Sequence, residues 1–146
     1  MSLPRGDGAG TTYTVEPVGW VRSTLREASE APKQPDEGAP QATLEFVPAV
    51  REALDGLTPG DRVHVLTWLH RADRETLRVH PRGDLARPLT GVFGTRSPDR
   101  PNPIGLHDVV ILALDGLTMT VDRLEAVDGT PVLDVKPVLA MTRRPE

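Results

Sequence analysis

Residues 91–106 read Gly-Val-Phe-Gly-Thr-Arg-Ser-Pro-Asp-Arg-Pro-Asn-Pro-Ile-Gly-Leu, and three prolines there bar both helix and regular strand. Pro98, Pro101 and Pro103 each remove a backbone donor and fix one φ angle. Each also drives the residue before it out of the helical region. Ser97, Arg100 and Asn102 are thus held extended on a stiff loop, and the flanking chain must fold around it. A rigid loop presenting Arg96, Arg100 and Asn102 has the make-up of a recognition surface. A Pro-rich surface connection is the plain alternative.

On either side the chain breaks into short β-type runs separated by turn signals. Residues 1–12 are Gly-rich and polar and read as a flexible tail. Within that tail, Gly6 to Gly10 resembles a phosphate loop, but no strand precedes it. Tyr13–Ser23 reads as a strand. Residues 24–41, with Pro32, Pro35, Gly38 and Pro40, read as a long loop. Ala42–Val47 alternates as a strand does. Pro48–Gly56 has proline in a first turn, Val50 and Leu54 on one side and a terminal glycine, which predicts a short helix. Arg62–Leu69, Thr76–His80, Thr90–Phe93 and Leu106–Leu114 follow as strands. Asp115-Gly116 predicts a hairpin turn into Leu117–Leu124. Asp128-Gly129 predicts a second turn before Pro131–Val135. The pattern predicts a mainly β fold, a small antiparallel β-barrel with one or two short helices, occupying 13–146 as a single domain.

The 146 residues are 38% hydrophobic and 26% charged, which suits one folded domain. There is no cysteine, so disulfides, thiolate metal sites and a cysteine nucleophile are all excluded. No apolar run approaches a membrane span and no signal-peptide core is present, so no membrane partner and a cytoplasmic location are expected. The histidines (His64, His70, His80, His107) show no metal-site spacing, so no metal is expected. His64 alternates with core residues and reads as structural. The formal charge of −4 argues against gripping nucleic acid by bulk electrostatics. Arginines 71, 74, 78, 82, 87, 96 and 100 nevertheless outnumber Asp73, Glu75, Asp84 and Asp99 in that stretch. Such a strip can meet phosphates locally or form a salt-bridged, solvated surface.

The 91–106 segment resembles the signature of the TsaA/TrmO family, Gly-Val-Phe-Ala-Thr-Arg-Ser followed by Arg-Pro-Asn-Pro-Ile-Gly, with Gly94 in place of the usual alanine. Val127–Pro137 is similar to the family's Asp-Gly-Thr-Pro-Val-Val-Asp-Ile-Lys-Pro. Shorter likenesses lie at Val18–Ser23, Pro32–Gln34 and Trp68–Arg71, in consistent order. The resemblance implies a dimerising, mostly antiparallel β-barrel that uses S-adenosyl-L-methionine. Its implied reaction is N6-methylation of threonylcarbamoyladenosine beside the tRNA anticodon. The partners it implies are a second copy of the chain and the tRNA anticodon stem-loop. Longer bacterial relatives continue into a C-terminal domain, so a short form is expected here.

The same resemblance places cofactor contacts on Pro32, Lys33, Gln34, His70, Arg71, Arg96, Leu106, Leu124, Glu125, Ala126 and Val127. Arg96 suits the carboxylate of the cofactor's amino-acid part; a salt bridge to Asp99 or Asp84 is the alternative. Substrate contacts are expected at Arg100, Asn102 and Lys136, and proton-handling groups at His70 and Asp128. Asp128 before a glycine is equally good turn chemistry. Lys33, Arg71 and His107 depart from the family's usual Arg, Gln and Ser. Methylation of another RNA or a small molecule, and a non-catalytic cofactor-binding module, are the competing readings.

Overall fold

The computed structural model describes residues 11–25 and 39–139. Six strands form a closed antiparallel ring: β1 (Gly19–Arg22), β2 (Ala42–Phe46), β3 (Arg62–Trp68), β6 (Ile104–Asp115), β7 (Thr118–Val121) and β8 (Pro131–Pro137). Their order around the ring is β1-β2-β7-β6-β3-β8, with β8 returning to β1. A separate two-stranded sheet pairs β4 (Arg78–Val79) with β5 (Thr90–Gly91). The mainly β architecture expected from the sequence is present.

Alternation of side chains decides what lies inside. Val63, Val65 and Thr67 of β3 point inward, as do Gly105, His107, Val109 and Ile111 of β6. With Val21, Leu44, Met119, Val121 and Val132 they fill the ring, each of these five fully buried. The register shifts at Ile111/Ala113 between β6 and β7, and at Leu66/Thr67 between β3 and β8. Such irregularities bend a strand and raise its twist, which helps so few strands close.

Several boundaries differ from the sequence reading, for identifiable reasons. The first strand starts at Gly19 rather than Tyr13, and Tyr13 and Val15 are largely exposed. Pro17 has no amide to donate, and pairing with β2 begins only at Gly19↔Phe46. The predicted helix at 48–56 is a 3-10 helix, Pro48–Leu54. Thr76–His80 contributes only Arg78–Val79, and Thr90–Phe93 gives Thr90–Gly91 before a 3-10 turn at Val92–Gly94. The Asp115-Gly116 turn joins β6 to β7 as expected, with Gly116 at φ 59.

Candidate functional site

The ring has two unlike ends. One gathers the described ends of the β1–β2 connection (23–25 and 39–41) and two further connections, β3 to β6 (69–103, carrying β4 and β5) and β7 to β8 (122–130). Antiparallel order puts them together, because β1, β3 and β7 finish where β2, β6 and β8 begin. Most of the residues singled out in the sequence therefore converge on this open end.

The proline loop is built around Arg100. Its Nε donates to Ser97 O (2.7 Å), and one terminal nitrogen donates to Val92 O (2.8 Å) and Thr95 O (2.6 Å). Val92 O also accepts from the Thr95 amide and hydroxyl, while the carbonyls of Thr95 and Ser97, in a stretch where three residues lack an amide, are met by the guanidinium. Arg100, expected to touch substrate, is thus placed as the strut of the loop.

Arg74 ties this loop to the segment after β3. Its Nε donates to Pro101 O (2.7 Å) and a terminal nitrogen to Asn102 Oδ1 (3.0 Å). The guanidinium carbon lies 5.2 Å from the Trp68 ring centroid, a cation–π distance. Asp99 Oδ1 accepts the Asp73 amide at 2.8 Å, and Leu69 N–H donates to Pro103 O at 2.8 Å. These bonds hold His70 and Arg71, both exposed, beside the loop that carries Arg96.

Arg96 is exposed and makes no hydrogen bond or ion pair among the described residues. The alternative pairing with Asp99 or Asp84 does not form: Asp99 takes the Asp73 amide, and Asp84 faces Arg87 at 3.7 Å. The charge of Arg96 acts instead on two groups, Glu125 and His107. Glu125 is half-buried on the β7–β8 connection, and that burial pushes its carboxyl up to about 7 against the pull of Arg96. Its neighbours Leu124 and Ala126 are buried and anchor the run. Leu124 N–H donates to Pro40 O (2.9 Å), and Val127 O accepts from the Thr130 amide (3.2 Å) and hydroxyl (2.8 Å).

His107 lies within the open end of the ring, 4% exposed. Its Nε2 is 2.8 Å from Thr67 Oγ1, while Nδ1 has no hydrogen-bond partner. Burial, assisted by Arg96, lowers the imidazole to about 4, so the ring is neutral near pH 7. Gly105 makes room for this pair: a Cβ there would strike Thr67 Oγ1 and lie 2.8 Å from His107 Nε2.

The remaining expected residues fall in three groups. Pro32, Lys33 and Gln34 lie outside the described residues. Asp128 works in the turn: its Oδ1 accepts the Ser23 amide (3.0 Å) and its own amide donates to Leu25 O (2.6 Å), joining the β7–β8 connection to the end of β1. Leu106 and Lys136 do not join the cluster. Leu106 points out of β6 and is 39% exposed. Lys136 pairs with His64 in register, toward the opposite end of the ring, and its Nζ lies 3.3 Å from Asp134. The motif containing Asp128 runs on into β8, and the strand carries its lysine away. Thr67 and Arg74 were not singled out as site residues. The inward alternation of Val63, Val65 and Thr67 was the available signal for Thr67.

A β ring with a polar cluster at one end, among loops that hold no metal-type group of His, Asp and Glu among the described residues, is the class of a small-ligand binding domain. Residues 20–142 match the model of the tRNA-methyltransferase O N-terminal domain, and the chain belongs to that family. It is 44% identical over 123 residues to a Methanothermobacter thermautotrophicus protein named a probable S-adenosyl-L-methionine-binding protein, covering 84% of this chain and 88% of that one. It is 38% identical over 125 residues to an S-adenosyl-L-methionine-binding protein of Archaeoglobus fulgidus, covering 84% and 86%. Among solved structures, TrmO from Pseudomonas aeruginosa superposes with a TM-score of 0.72 at 35% identity. That match covers 88% of this chain and 57% of the solved one, so this chain spans little more than half of that protein.

Proposed function

We propose that the protein is a methyltransferase that binds S-adenosyl-L-methionine at the open end of the ring and methylates N6 of threonylcarbamoyladenosine in tRNA. The observation carrying this reading is the meeting of Arg96, His107 and Glu125 where the family's motif-bearing loops converge. The residues fit the cofactor's amino-acid end. Arg96 has an unengaged guanidinium for a carboxylate, and Glu125 is a half-buried acceptor for an ammonium. The 124–127 run borders the same space and suits the nucleoside portion. Pro32, Lys33 and Gln34 belong to the connection whose two ends, Leu25 and Ala39, are buried in the fold.

When bound, the cofactor supplies an electrophilic methyl on a sulfonium and leaves as the thioether. The protein's task is then to align the acceptor nitrogen and exclude water. The acylated N6 must also lose its proton. His70, exposed on the rim beside the Arg74 latch, is the acceptor in this reading, with Asp128 the second candidate. Asn102 and the arginine strip would face the anticodon stem-loop, and the acidic remainder would limit indiscriminate binding. The functional unit of this reading is a homodimer. Leu77, Leu85, Leu89 and Phe93 are 53–85% exposed on the β3–β6 connection, an apolar set suited to a second copy. A cytoplasmic site of action follows from a tRNA substrate.

The test is mass spectrometry of nucleosides from tRNA lacking the modification, after incubation with protein and isotopically labelled cofactor. A labelled methyl on threonylcarbamoyladenosine, reduced by Arg96→Ala through about tenfold weaker cofactor binding, is expected. Normal cofactor binding with unmodified tRNA would defeat the tRNA assignment and favour another RNA or a small molecule.

A further inference from the structure

His107 carries a feature that the reading above leaves unused: a buried ring nitrogen with no partner. The Thr67 pair decides what that nitrogen offers. If Nε2–H donated to Thr67 Oγ1, the threonine hydroxyl proton and Nδ1 would both lack partners, because no other bond to this hydroxyl is present among the described residues. If the Thr67 hydroxyl donates to Nε2, the hydroxyl proton and Nε2 are both satisfied and the tautomer is fixed with its proton on Nδ1. Only Nδ1–H is then left unmade, and the second arrangement leaves fewer buried polar groups unpaired. His107 is therefore an uncharged, buried N–H donor, oriented by Thr67 and given its room by Gly105.

The surroundings limit what it can donate to. Arg96 lies close enough for its charge to act on the imidazole and has no hydrogen-bond or ion-pair partner among the described residues. Two donors, one charged and exposed and one neutral and buried, thus share a neighbourhood. A carboxylate satisfies both, offering two oxygens with several acceptor positions. The half-buried Glu125 is also within reach of the Arg96 charge and can accept from an ammonium.

We propose that His107 Nδ1–H and Arg96 together hold the carboxylate of an α-amino-acid group, making His107 a specificity-determining residue for the amino-acid end of the bound cofactor. The proposal rests on the cofactor reading above. It predicts that the protein distinguishes ligands by that group, not by the nucleoside alone.

The test compares S-adenosylhomocysteine with 5′-methylthioadenosine, which keeps the nucleoside and thioether but lacks the amino-acid end. Calorimetric Kd values are measured for the wild type and for the double variant Thr67→Val/His107→Leu. That variant removes both members of the buried pair, so neither is left unsatisfied and the fold is retained; circular dichroism checks this. The expected result is S-adenosylhomocysteine binding weakened by about tenfold, with 5′-methylthioadenosine unchanged. His107→Asn, whose amide can place an N–H near the Nδ1 position, should recover part of the loss. Equal weakening of both ligands would make His107 a structural residue and overturn the proposal. No weakening of either would show that Nδ1 meets only water, and would overturn it as well. If the wild type binds neither ligand, the cofactor reading itself fails and takes this inference with it.

Discussion

The two ends of the ring are built from the same strands and do opposite work. At the closed end the connections are compact. Gly116 and Leu117 turn β6 into β7, and the 3-10 helix Pro48–Leu54 lays Val50 and Leu54 against the core. The groove there is lined mainly by apolar side chains, among them Val18, Phe46, Leu54, Leu57 and Val135. At the open end the connections are long, and their contacts are hydrogen bonds to backbone carbonyls from Arg74 and Arg100. Both titratable groups displaced mainly by burial, His107 and Glu125, belong to that end. Apolar packing holds one end, and a charged scaffold organises the other so that polar groups can stay partly unsatisfied. The apolar groove has no comparable convergence of charged loops around it.

Three experiments test this contrast. The largest effect should come from Met119→Ala. Met119 is fully buried on β7, opposite Leu44 and Leu114 in the register. Its truncation should cost about 2–5 kcal/mol of stability by denaturant unfolding. The cofactor Kd of the folded protein should stay unchanged; a large change would mean that the ends are not independent.

The next effect is a pH dependence located at the open end. His107 is lowered to about 4 in the folded protein, below its ordinary 6.5. The unfolded chain therefore takes up a proton first as pH falls. The stability contribution is complete above pH 6.5 and is lost as pH falls through about 4, amounting to about 3 kcal/mol. Glu125 is displaced the other way, to about 7. Its contribution is present below its unfolded value and lost as pH rises through about 7, so it opposes the His107 trend. The two separate in a difference: unfolding free energy of wild type minus Thr67→Val/His107→Leu, followed from pH 7 to pH 4, should fall toward acid. A flat difference would mean that His107 is not buried as a neutral ring.

Arg100→Ala should give the smallest stability change of the three, about 1.5–3 kcal/mol, since it leaves the carbonyls of Thr95 and Ser97 without this donor, while Val92 O keeps the Thr95 amide and hydroxyl. Its signature is where the change falls. Hydrogen exchange should speed up in 92–103 while β7 amides keep their protection, and cofactor binding should weaken through the loosened loop. Uniform loss of protection would show that the loop is part of the core's cooperative unit.

How much of this was readable in advance follows from the range of each interaction. The Asp115-Gly116 turn and the alternation of β3 are local, and both stand as predicted. The length of β1 was overestimated because the pattern Tyr13–Ser23 says nothing about whether a partner strand reaches that far. The prolines excluded helix and strand only over 95–103, with a 3-10 turn before and β6 starting at Ile104, and the strut role of Arg100 depended on carbonyls up to eight residues away turning back toward it. Thr67 and His107 are forty residues apart, and only the β3–β6 register sets one beside the other. Lys136 shows the converse, since it shares a motif with Asp128 but the extended strand β8 carries it to the level of His64.

Ring closure also determines how this chain can meet another by its backbone. Every long strand has a neighbour on each side, but β8 meets β1 only at Pro131 and Val132 and β6 meets β7 only from Ile111, so 133–137 and 104–109 each pair with β3 alone. β4 and β5 add further unpaired rims, each two residues long and placed on the excursion that also exposes Leu77 and Phe93. Strand-to-strand growth, whether a legitimate docking or the first step of aggregation, can start from this small flap as well as from the half-paired stretches of β6 and β8. Substituting charge on the flap would be the economical way to keep the protein soluble without touching the ring.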